Sequence, residues 1–233
     1  MTEATTTLNA PGLPSLQITW RRSRRARRLS LRVSRLDGRI TLTLPQSFPL
    51  REAEAFLRER EPWLRGVLAS LPLPRAVEPG MLLPVEGVPL RLQPARLRQP
   101  KVEGDRLLVP QRGAPGRAAR AFLQLRARDR LAERVAHHAA RLGRYPGRLT
   151  LRDTRSRWGS CSAAGDLMFS WRLIMAPPEV LDYVAAHEVA HLEHMNHSPA
   201  FWGAVERLMP GYAAPRRWLR REGGTLHSYR FDP

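Results

Sequence analysis

The stretch HEVAHLEHMNHSPAFW, beginning at His187, constrains this chain more than any other, because it places four histidines within eleven residues. His187 and His191 are four positions apart, so on an α-helix their imidazoles leave one face about a turn apart. That spacing lets both reach a single ion at zinc–nitrogen distances of about 2 Å. Glu188 lies roughly 100° around the helix from His187 at 3.6 residues per turn, so it can address a water on the ion without ligating it. The HEVAH pattern is therefore a candidate metalloprotease motif. Leu181, Val184, Ala185, Val189 and Leu192 offer the packing face such a helix needs. The competing reading makes the two histidines partly buried polar residues bonded to backbone or carboxylates, with no ion.

A third ligand must come from His194, His197 or Glu206. On a continued helix His194 would lie roughly 20° from His187 in angle yet about 10.5 Å along the axis, which is too far for one ion to serve both. His197 would point roughly 80° away on a regular helix. Asn196 suits a non-helical position, and Ser198-Pro199 signals a fresh helix start, so a turn after Met195 would fold His197 back towards the pair. His197 is thus the favoured ligand, while Glu206 could project back from the following helix. From Leu173 to Glu206 there is no Arg or Lys, whereas Glu179, Asp182, Glu188, Glu193 and Glu206 all fall inside. Exclusion of fixed cations favours a divalent ion.

That interval stands out because the whole chain of 233 residues carries a formal charge of +18, nearly all from arginine, Lys101 being the only lysine. The excess would support non-specific nucleic-acid binding. A general compositional bias explains it better, since the densest run, RRSRRARR from Arg21, has only Trp20 as an aromatic neighbour and reads as a solvated strand edge or loop. Cys161 is the only cysteine, which excludes an intrachain disulfide and a thiolate zinc cluster. The first fifteen residues lack signal-peptide character, and no run of about eighteen apolar residues follows. A soluble, cytoplasmic protein without a membrane partner is expected.

The organisation reads as α+β, a strand-rich N-terminal half followed by a helical half. Residues 1–15 are expected to be flexible, 16–110 to form the strand-rich region and 111–233 the helical core, with one continuous domain over 16–233 as the alternative. Leu31 and Val33, then Ile40, Leu42 and Leu44, follow a two-residue period around an Asp37-Gly38 turn. A helix follows Pro49, with Pro62 marking a kink or restart. Short strands are expected at Met81 to Val85, Val88 to Leu92 and Leu107 to Val109, and a helix from Pro115 to Leu142 closed by Gly143. LTLRDT, RWGSCS and DLMFSWRL read as strands. The motif helix starts near Pro178, and another, capped by Ser198, runs to about Met209.

Three pieces together, RSRRARRLSLRVSRLDGRITLTLP near the start, RWGSCS at Arg157 to Ser162 and DYVAAHEVAHLEHMNHSPAFW at Asp182 to Trp202, resemble the YgjP-like family of predicted metal-dependent hydrolases. The resemblance covers most of the chain. It implies one Zn2+ ion held by His187, His191 and His197, Glu188 as the catalytic residue, and strands preceding a compact, zincin-like metallopeptidase core. Ser170-Trp171 stands where family members often carry Asn-Trp. His194 occupies the position of the glycine in the longer metzincin motif, so the chain falls outside that group.

The residues around RWGSCS carry two readings. Arg157, Trp158 and Gly159 are candidates for a strand edge that binds an extended peptide through main-chain hydrogen bonds, and Gly159 would permit a close backbone approach. In the structural reading Trp158 packs beneath the motif helix and Cys161 is a small core residue rather than a nucleophile. Arg157, Tyr212 and His227 are candidate oxyanion stabilisers. The sequence thus favours a zinc-dependent hydrolase of protein or peptide substrates, over a nucleic-acid-associated metalloprotease and over a non-enzymatic, metal-stabilised interaction module.

Overall fold

In the computed structural model, which describes residues 3–10, 13–34, 38–71 and 73–232, apolar alternation first builds a sheet in the unit Met1–Leu73. Strands β1 (Glu3–Ala10), β2 (Leu13–Ser23), β3 (Ser30–Val33) and β4 (Ile40–Pro45) lie in the order β1-β2-β4-β3. The β2–β4 pair is parallel and the other two are antiparallel. Ile18, Trp20, Ile40, Leu42 and Leu44 share a buried face that meets Ala53, Leu57 and Leu64 of helix α1 (Leu50–Ala69). The helix runs through Pro62 instead of restarting there; buried residues on both sides of the proline tie the two halves to one core, which offsets the missing backbone bond. β1 occupies most of the segment expected to be flexible. Of the expected Asp37-Gly38 turn, Asp37 lies outside the described residues, while Gly38 has φ 69°. Arg24, Arg25, Arg27 and Arg28 of the basic run are exposed in a loop after β2.

The second unit, Pro74–Pro233, begins with β5 (Arg75–Ala76). A four-stranded sheet follows: β6 (Leu82–Val85), β7 (Val88–Ala95), β8 (Lys101–Glu103) and β9 (Arg106–Pro110), in the order β6-β7-β9-β8. The division therefore falls at Leu73, well before the expected boundary at residue 110. Its cause is burial: Leu83, Val85, Leu90, Leu92, Leu107 and Val109 belong to the same core as the helices that follow.

Helix α2 (Pro115–Leu142) matches the expected span and ends at Gly143. Strands β10 (Leu149–Arg152), β11 (Gly159–Cys161) and β12 (Leu167–Ser170) form a sheet in the order β10-β12-β11, which leaves β11 at an edge. A 3₁₀ turn at Trp171–Met175 leads into α3 (Pro178–Ala190), followed by α4 (Pro199–Leu208) and α5 (Ala213–Glu222). A last 3₁₀ turn, Gly223–His227, precedes β13 (Tyr229–Arg230), which pairs in parallel with β5. The architecture is α+β, with strands concentrated in the N-terminal half and helices in the C-terminal half. Among the described residues no helix is long and apolar enough to cross a membrane.

The motif helix is fixed to α2 by a partly buried polar clasp. Arg134 donates from Nε and Nη2 to the two oxygens of Asp182, at 2.6 and 3.0 Å, and His138 Nε2 lies 2.6 Å from Asp182 Oδ1. Burial alone would raise the Asp182 carboxyl, but the hydrogen bonds and charges of His138 and Arg134 outweigh it and hold it below the ordinary range. Asp182→Ala should cost about 3 kcal/mol in urea unfolding, because it strands the buried His138 and the half-buried Arg134 without their acceptor. The contribution of Asp182 is fully present above its unfolded pKa, near the ordinary 3.8, and is lost as pH falls through the lower folded value. An unchanged denaturation midpoint at neutral pH would show that the clasp adds nothing.

Candidate metal centre

Helix α3 delivers His187 and Glu188 in its last turn and His191 as its C-cap, where φ −65° and ψ −19° remain near helical values. The helix stops at Ala190, earlier than the turn expected after Met195. Successive tight turns, including hydrogen bonds from the amides of Leu192, Glu193 and His194 to the carbonyls of Val189 and Ala190, then carry the chain round to Ser198. The Ser198 hydroxyl accepts from the Phe201 amide at 3.4 Å and opens α4 as the sequence suggests.

That reversal brings His197 back to the pair. His197 Nε2 stands 3.1 Å from His187 Nε2, and one ligand atom from each of His187, His191 and His197 lies within 4.8 Å of the others. Nitrogens about 2 Å from a tetrahedral zinc are separated by about 3.3 Å, so the spacing suits a shared ion. His191 Nδ1 is 3.0 Å from the His194 carbonyl. A carbonyl oxygen only accepts, so Nδ1 carries the proton and Nε2 presents its lone pair. His187 is pushed down to about 3 by burial, then by the charges of His191, His197 and Arg216, so it is neutral, the form able to coordinate a metal. A cluster able to coordinate a divalent metal is therefore present. Glu206 is elsewhere, its carboxylate accepting from the Gly211 amide at 3.4 Å, and the His194 side chain sits beside Glu193.

Phe201, fully buried, is the floor of this cluster: its ring centroid lies 4.9, 4.5 and 4.8 Å from those of His187, His191 and His197. Trp202 lies 5.7 Å from His187 and 5.8 Å from His197. Both residues thus hold α4 against the motif.

Glu188 is 5% exposed. Burial pushes its carboxyl up to about 8, against an opposing pull from the Arg157 charge. The backbone of Gly159 comes so close that a Cβ there would lie 2.5 Å from Glu188 Oε1, which is why β11 starts with glycine. Trp158 packs against the C-terminal turn, with its ring 4.9 Å from His227 and its edge against Gly223. Burial, with the charges of Glu188 and Asp166, raises the Cys161 thiol and makes it a poor nucleophile.

Of the three residues considered for oxyanion stabilisation, Arg157 neighbours Glu188, and His227 is buried against Trp158. Burial and the Arg172 charge, partly offset by Asp153, push His227 down to about 4. Tyr212 is stacked between Tyr183, at 6.1 Å, and Trp202, at 5.4 Å. Tyr183 itself packs 5.8 Å from His187, and burial lifts its phenol to about 12, so it keeps its proton. The sequence reading missed Arg216, whose guanidinium carbon lies 4.1 Å above the Trp202 ring. Nothing local to α5 marks it.

A family model described as "YgjP-like, metallopeptidase domain" matches residues 27–222. The chain belongs to the YgjP-like family. As a YgjP-like protein with this histidine cluster, it is a metal-dependent hydrolase of a metallopeptidase family. Among solved structures, the crystal structure of the metallopeptidase zymogen of Pyrococcus abyssi abylysin is 25% identical, with 40% of this YgjP-like chain and 92% of that chain covered and a TM-score of 0.36. No curated protein matches it.

Proposed function

We propose that this chain is a zinc peptidase in which His187, His191 and His197 ligate one Zn2+ ion and Glu188 is the general base. The observation that carries the reading is the convergence of three imidazoles beside one buried carboxylate. Three neutral nitrogen donors suit zinc among the common divalent ions. Zinc held there supplies Lewis acidity, polarising a peptide carbonyl and acidifying a water.

Glu188 accepts the proton of the attacking water and passes it to the leaving amine. Burial makes it a stronger base than an exposed carboxylate. Pinned against Gly159, it has little freedom to turn away. Edge strand β11 offers main-chain groups to an extended protein or peptide substrate, with Arg157 and Trp158 leading into it and Gly159 allowing the substrate backbone to pass near Glu188.

Removal of metal with a chelator should abolish cleavage of a random peptide library, and one equivalent of zinc should restore it, with bound metal counted by elemental analysis. Turnover that persists in protein shown to be metal-free would eliminate the reading.

A further inference from the structure

The interval around the motif holds no cation in sequence, yet tertiary structure delivers one. Helix α5 places Arg216 half-buried, with its guanidinium on the Trp202 ring at 4.1 Å. Trp202 in turn lies 5.7 and 5.8 Å from His187 and His197. The guanidinium is therefore no farther from either imidazole than those two short separations laid end to end. Arg216 has no carboxylate partner among the described residues. Several other half-buried or buried arginines of this unit have carboxylate partners, among them Arg126 with Glu86, Arg134 with Asp182 and Arg172 with Asp153.

An unpaired guanidinium near a site for a dication opposes metal binding by like-charge repulsion. The arrangement becomes favourable when an anion lies between the two positive centres. Two further arginines border the same ground. Arg157 stands two residues before Gly159, which touches Glu188, and Arg220 follows Arg216 by one helical turn.

We infer that Arg216 is a specificity-determining residue that takes a carboxylate of the substrate, so that acidic peptides are preferred. An extended peptide advances about 3.3 Å per residue, which puts that carboxylate within about three residues of the scissile bond. It is supplied either by a Glu or Asp side chain or by the free C-terminus. The net charge of +18 steers the same class of peptide towards the protein. This inference rests on the peptidase reading given above.

The test is kcat/KM on matched peptides with zinc-loaded protein. One series exchanges Glu for Gln at each position flanking the scissile bond, and a second exchanges a free C-terminus for its amide. The wild type should favour carboxylate over its neutral isostere by about tenfold or more, mainly through KM, in one of the two series, and that series identifies the source of the carboxylate. Arg216→Gln should bring the ratio close to one, Arg216→Glu should invert it towards lysine-bearing peptides, and Arg216→Lys should retain part of it. Cleavage without preference in both series, or a preference that survives Arg216→Gln, overturns the assignment of Arg216 and leaves the peptidase reading standing. No turnover of any peptide overturns both.

Discussion

Glu188→Gln should leave zinc stoichiometry intact and lower kcat for peptide hydrolysis by about 10³-fold, within the range removed when a positioned general base is lost. The amide keeps the shape that fits against Gly159 but cannot accept a proton. A second consequence separates the electrostatics of this residue from its chemistry. Burial raises the folded-state carboxyl to about 8, whereas the unfolded value is near the ordinary 4.5. A carboxyl that binds its proton more tightly when folded makes the metal-free protein lose stability as pH rises between those two values, by about 1.4 kcal/mol per unit. At pH 8 that loss is on the order of 4 kcal/mol for this nearly buried group. Metal-free Glu188→Gln should therefore be more stable than metal-free wild type at pH 8, and the two should converge below pH 5. Full hydrolytic activity in the zinc-loaded variant would remove Glu188 from the reaction, and parallel stability curves would refute its raised proton affinity.

His197→Ala should weaken zinc binding by at least two orders of magnitude, whereas Glu206→Ala should leave it unchanged. The contrast follows from placement: His197 Nε2 faces His187 Nε2 at 3.1 Å, while Glu206 is engaged with the Gly211 amide. At zinc 100-fold above the wild-type Kd, ligand linkage stabilises the folded state by about 2.7 kcal/mol; a hundredfold weaker site retains only about 0.4 kcal/mol. Thermal unfolding with and without zinc reads that difference directly. Equal zinc-dependent shifts in wild type and His197→Ala, with loss in Glu206→Ala, would transfer the third ligand to α4.

Local periodicity made the secondary elements of the site legible. Helix α2 occupies the span read from its apolar spacing and Gly143, and Ser198 opens α4 as its side chain suggests. The i, i+4 histidine pair depends only on 3.6 residues per turn. The chain reversal after it was legible from Asn196 and Ser198-Pro199, although the helix ends at Ala190, sooner than those residues imply. The restart read as one alternative at Pro62 does not occur. Local breakers report backbone preference, whereas Leu57 and Leu64 in one unit and Leu83 and Leu92 in the other are held by burial against distant partners.

By itself, then, the sequence determined that His187 and His191 share a helical face, that Glu188 stands beside them, and that the chain turns before α4. Those properties follow from covalent spacing and local backbone geometry. Only the tertiary structure decided that Gly159 presses on the Glu188 carboxylate, that Phe201 underlies all three imidazoles, and that Arg216 enters a region whose own sequence excludes cations. Each of these depends on how separate elements dock, and docking is set by the summed packing of residues far apart in the chain, which no local pattern records.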